Sequence, residues 1–302
     1  MQTLEIQRIL VPTDLSPQAI GALQYARFFA ERFSATLTLL NVDPIVFPVE
    51  DAGANVQLYV ASQPDRIAAL RDDVRAYADG ALQGVPYSIA TDIGDVVPVI
   101  VGKEEELPAD LVVMATHGLR GWRRLILGSV TERVIRVGDC PVLSVNRNEA
   151  RPRTSDPVRR ILCPINFSDV ARMSVEYASQ LAAAFDGELV VVHVVEENSR
   201  LHVAARTEDV RGWIAPAVQN RCTYREIVLR GGAAERVLDC AEDIGADLIV
   251  IGAQHKRFRD ETVIGTTTER LVRFAHMPVL SVPRRMAAEE MQPGEVLAGR
   301  VG

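Results

Sequence analysis

Lysine is almost missing from this chain: Lys103 and Lys256 are the only two. Neither closes a G-x-x-x-x-G-K-[ST] run, so a P-loop is excluded. The G-x-S-x-G elbow and the H-E-x-x-H helix are absent as well, which removes two common hydrolase designs. Cys140, Cys163, Cys222 and Cys240 form no C-x-x-C pair and have no histidine at metal spacing. They read as free thiols of a reducing compartment. His117, His202 and His276 likewise have no partner at catalytic or metal spacing. No apolar run approaches the ~18 residues of a membrane span, and no apolar leader precedes Ile9. A cytoplasmic protein without a membrane partner is expected. A basic excess is missing too. The net charge of −7 argues against a general nucleic-acid partner, since phosphate backbones reward positive charge.

What is present is a duplication. Arg8-Ile9-Leu10 recurs as Arg160-Ile161-Leu162, an offset of 152 that also brings Pro12 to Pro164, Ser16 to Ser168, Tyr25-Ala26 to Tyr177-Ala178, Phe33 to Phe185 and Val42 to Val194. Further along, the offset is 137: Ala109-Asp110-Leu111 matches Ala246-Asp247-Leu248, and Thr131-Glu132-Arg133 matches Thr268-Glu269-Arg270. Pro141-Val142-Leu143-Ser144-Val145 returns unchanged at Pro278 to Val282. Ordered matches through both halves mean two copies of one domain. The expected division is a first domain over 1–146, a linker over 147–158, a second domain over 159–283 and a tail over 284–302.

Each copy alternates strand and helix. In the first, strands are expected at Arg8–Pro12, Thr36–Val42, near Tyr87–Thr91, at Leu111–Ala115 and at Pro141–Val145. Ser16-Pro17 reads as an N-cap with proline at the first helical position, followed by apolar residues at helical spacing up to Phe33. Further helices are expected over Asp65–Tyr77, Val96–Glu106 and Ser129–Val137. The fold class is therefore α/β, with two tandem doubly wound domains, each built on a five-stranded parallel sheet.

Ligands of such sheets bind beyond the carboxyl ends of the strands. Three ends stand out in the first copy: Pro12-Thr13-Asp14, Asn41-Val42-Asp43 and Ala115-Thr116-His117-Gly118. The third opens a loop carrying Arg120, Arg123 and Arg124, which closes on Gly128-Ser129 at a helix start. Glycines allow close backbone approach, and a helix N-terminus offers free N–H groups with partial positive charge. Ser129 and Thr131 add hydroxyls. These residue types together point to a small molecule bearing phosphate, with Arg120 the candidate clamp.

His117-Gly118, nine intervening residues and then Gly128-Ser129-Val130-Thr131-Glu132 resemble the glycine motif of the ATP-binding branch of the universal stress proteins. The strand end Val11 to Asp14 and the closing Pro-Val-Leu-x-Val strand are similar to that family too. The resemblance implies a regulatory protein of the stress response that holds ATP, ADP or AMP, with or without Mg²⁺. It places Asp14 and Val42 toward the adenosine and Gly118, Gly128, Ser129, Val130 and Thr131 toward the phosphates. Pro12, Thr13, Ala115, Thr116 and Arg120 are the other expected nucleotide contacts. Ala115 departs from the family's usual glycine. The second copy departs further, with Asn166 for Asp14 and His255 at the Gly118 position, so a weak or empty second site is expected. A nucleotide hydrolase or transferase of related fold, and a nucleotide-free scaffold, are the competing readings. The last strands of the two domains are expected to pair about a pseudo-two-fold axis, as a dimer of single-domain members would. A homodimer of the whole chain is compatible with this reading.

Overall fold

The computed structural model describes residues 4–44, 55–116, 129–146, 158–197, 203–214, 221–253, 255–258 and 261–284. The first copy runs β1 (Arg8–Pro12), α1 (Ile20–Phe33), β2 (Thr36–Pro44), α2 (Asn55–Asp79), β3 (Tyr87–Gly94), α3 (Val96–Glu106), β4 (Leu111–Ala115), α4 (Ser129–Val137) and β5 (Val142–Val145). The second runs β6 (Arg160–Ile165), α5 (Asp169–Ala184), β7 (Glu188–Val195), α6 (Val203–Trp213), β8 (Thr223–Arg230), α7 (Ala233–Asp243), β9 (Leu248–Ala253), β10 (His255–Phe258), β11 (Glu261–Ile264), α8 (Thr266–Phe274) and β12 (Val279–Pro283). The start of α2 lies ten residues before the expected Asp65, in a segment whose apolar spacing is weak.

The strand order is β3-β2-β1-β4-β5-β12-β9-β6-β7-β8. Within each half of this sheet all neighbours are parallel. The halves meet at an antiparallel junction in which Leu280 faces Leu143, Val279 faces Ser144 and Ser281 faces Val142. Ten strands thus form one sheet, and the apolar closing segments lie at its centre rather than at an open edge.

Side-chain alternation sends each strand to two cores. Ile9 and Val11 join Leu23, Phe29, Tyr177 and Leu181 on the face covered by α1, α2, α5 and α6. Leu10, Val112 and Met114 join Ile100, Val134, Leu271 and Val272 under α3, α4, α7 and α8. Covering both faces is why the strands read as nearly continuous apolar runs. Across the junction, Phe185 at the end of α5 stacks on Phe28 of α1 at 5.4 Å and meets Phe29 and Phe33 edge-on. Such ring pairs add about 0.5–1.5 kcal/mol each beyond their area.

Candidate functional site

In each half the chain winds outward from the inner strand and then returns to the strand on its other side. In the first copy the reversal falls between β1 and β4, so a crevice opens beyond Pro12 and Ala115. Thr13 and Asp14 leave β1 there. Thr13 is buried, with its amide on Leu40 and its carbonyl accepting from Asn41 Nδ2 at 2.8 Å. Asp14 is exposed, and its Oδ1 accepts from the Ser16 amide at 3.1 Å. Leu15 between them takes a positive φ of 59°, which an ordinary side chain adopts only under local constraint.

Ser16 does not cap α1. Its neighbours Pro17–Ala19 form a 3₁₀ turn, α1 begins at Ile20, and the buried Ser16 hydroxyl has no partner among the described residues. Tyr77 of α2 donates to the Ser16 carbonyl at 2.8 Å. Burial pushes its phenol up to about 12, and Asp14 adds to the shift against an opposing hydrogen bond with Thr13. Pro12 is buried, and Val42 is half-buried against the second core.

On the other wall, Ala115 is half-buried and accepts at its carbonyl from Thr131 Oγ1 at 2.8 Å. Thr131 is buried, so its hydroxyl docks the first turn of α4 onto β4. Thr116 is buried as well and donates to Asn146. Ser129 is exposed at the first residue of α4, and Val130 is half-buried. Of the sequence candidates, Asp14 and Ser129 therefore present exposed polar side chains at the crevice. Thr13, Thr116 and Thr131 turn theirs into the scaffold. Gly118, Arg120 and Gly128 lie outside the described residues.

The equivalent crevice of the second copy is lined differently. Phe167 replaces Leu15 at φ 61°, packs edge-on against His193 at 4.8 Å and against Trp213 at 5.6 Å, and Arg172 lies over the indole at 4.7 Å. His193 bonds the Ile165 carbonyl through Nδ1 at 3.0 Å, the task Asn41 performs in the first copy. Asn166 accepts from Ser168, and Ser168 is a true N-cap, accepting from Ala171, so that α5 starts at Asp169. That earlier start presses on β9: a Cβ on Gly252 would lie 2.5 Å from Val170 Cγ1 and 2.9 Å from its carbonyl oxygen. Gly252 is thus required by helix packing. At the Val170 position the first copy has Gln18 in its 3₁₀ turn, and there β4 carries Ala115. His255 opens a two-stranded ribbon, β10 with β11, and β11 runs beside α4 of the first copy.

A family model described as the universal stress protein family matches residues 5–146 and again 157–283. The chain belongs to the universal stress protein family. A universal stress protein of Mycobacterium tuberculosis is similar over 297 residues at 23% identity, covering 90% of this chain and 95% of the relative. One from Methanocaldococcus jannaschii is 31% identical over 147 residues, 47% of this chain and 82% of its own. The crystal structure of a universal stress protein from Archaeoglobus fulgidus shares the fold with a TM-score of 0.73 at 21% identity, covering 93% of this chain and all of the other. No helix among the described residues is long and apolar enough to cross a membrane.

Proposed function

We propose that this universal stress protein is a regulatory module that binds one adenine nucleotide (ATP, ADP or AMP), in the crevice of its first domain between β1 and β4. The carrying observation is the contrast between the two switch points. The first leaves Asp14 exposed at the end of β1 and Ser129 exposed at the N-terminus of α4. In the second, the matching positions Asn166 and Thr266 are exposed as well, but the carboxylate is replaced by a neutral amide and Phe167 packs on His193 and Trp213. The helix N-terminus suits phosphate, and the motif from Gly118 to Thr131 resembles that of the ATP-binding branch. Asp14 is the exposed carboxylate of the crevice. It suits a Mg²⁺ ion that keeps its waters and takes its other ligands from phosphates. A binding role fits better than turnover, because among the described residues of the crevice none is placed to orient an attacking water.

Two measurements on the full chain test this. Acid denaturation of freshly purified protein should release an adenine nucleotide, identified by chromatography and mass. Calorimetric titration of emptied protein with ATP should give about one site per chain, the number expected from one intact helix-terminus cradle. Two equal sites, or no binding, would overturn the reading.

A further inference from the structure

We infer that Asn146 is a positioning residue for the nucleotide crevice, and that through it the second domain sets the affinity of the first; this rests on the binding role proposed above. The end of β4 is tied on both sides. On one, Thr131 Oγ1 of α4 donates to the Ala115 carbonyl at 2.8 Å. On the other, the next residue, Thr116, places its amide on the Val145 carbonyl at 3.0 Å and its hydroxyl on Asn146 Oδ1. Asn146 then crosses the domain junction. Its Nδ2 donates to Ala275 O at 2.8 Å and to Val272 O at 3.2 Å, at the C-terminal turn of α8. Carbonyls in the last turn of a helix have no partner within the helix, so the side-chain amide satisfies groups that burial would otherwise penalise.

Thr116 and Asn146 are 1% and 9% exposed, and the bridge is shielded from competing water. It runs in one direction only. The equivalents in the second copy are Ala253 and Pro283, which carry neither hydroxyl nor side-chain amide. The first domain's crevice is thereby coupled to a helix of the second, whereas among the described residues the second's crevice has no matching tie at these positions. Displacing α8 moves Asn146 and Thr116, and with them the strand end on which the first turn of α4 is docked. A cradle of helix N–H groups tolerates little displacement, so its affinity for phosphate follows.

The test uses the full chain with ATP as the probe. Thr116→Val, Asn146→Ala and the double variant are titrated by calorimetry beside the parent. Each single change is expected to weaken binding about fivefold or more, a typical coupling between sites. The double variant should lose no more than the worse single, since both cut one chain of bonds. Thr116→Val, close in shape, carries the test if Asn146→Ala does not fold. Coupling is reciprocal, so ATP should slow amide hydrogen exchange in the last turn of α8 in the parent and leave it unchanged in Thr116→Val. Single variants within twofold of the parent, additive losses in the double, or exchange in α8 indifferent to ATP would each overturn the inference while leaving the nucleotide reading intact. A parent that binds no ATP overturns both.

Discussion

The two copies share the sheet and its central junction and differ most in the side chains at the ends of β1 and β6. Leu143 and Leu280 face each other at the junction, fully buried and identical in context. A few residues away, Asp14 presents an exposed carboxylate where the second copy presents the exposed neutral amide of Asn166, and Leu15 is replaced by Phe167, whose ring packs on His193 and Trp213. A second contrast lies under α3. Glu104 is 6% exposed, and its position in the second copy is Ala241, also buried. A Cβ on Gly138 would meet the Glu104 carboxylate at 2.8 Å, whereas the second copy pairs Ala241 with Ala275. The Ala275 methyl thus regains part of the volume lost at Ala241. Duplication kept the sheet and let the strand ends and one buried carboxyl diverge.

The symmetric part of the comparison is tested most severely at the junction. Leu143→Pro and Leu280→Pro each remove a ladder donor from a central strand and should cost about 3 kcal/mol or more. The two losses should be similar, read as denaturation midpoints, with a larger radius in solution scattering. A variant as stable and compact as the parent would show that the junction does not hold the halves together.

Glu104 tests the asymmetric part. Burial, first of all, raises its carboxyl to about 7, against hydrogen bonds from the Asp139 and Cys140 amides and with help from the charges of Asp139 and Glu105. Below its ordinary value near 4.5 the group is protonated in both folded and unfolded chains. As pH rises from there to about 7, the unfolded chain releases the proton while the folded chain keeps it, so stability falls across that window. Glu104→Gln should remove this slope and be more stable than the parent above neutrality, by up to about 3 kcal/mol. Melting temperatures at several pH values decide it. Parallel pH responses of parent and variant would assign the slope to another group.

The smallest expected effect separates the two β-strand ends that flank the crevices. Gly252→Ala should cost about 2 kcal/mol by overpacking against Val170, whereas Ala115→Gly should cost about 1 kcal/mol or less, mainly in backbone entropy. Equal costs in thermal melts would mean that α5 yields to the added methyl group and that Gly252 is not a packing requirement.

The amino-acid sequence by itself determined the duplication, the α/β class and the strand ends that carry the crevice. Those signals are local: apolar runs bounded by glycine and proline, and ordered matches at two offsets. It placed Asp14 and Ser129 where they stand exposed, because a strand's carboxyl end and a helix start can be read from neighbours in the chain. Only the tertiary structure decided which hydroxyls are already engaged. Thr131 and Thr116 carry donors suited to phosphate, yet they spend them on Ala115, in a strand sixteen residues away, and on Asn146, thirty residues away. It likewise decided that Ser16 does not cap its helix while Ser168 does, and that Gly252 makes room for Val170. Hydrogen-bond partners and close contacts between distant segments depend on how the layers pack, and no spacing along one strand or helix records that distance.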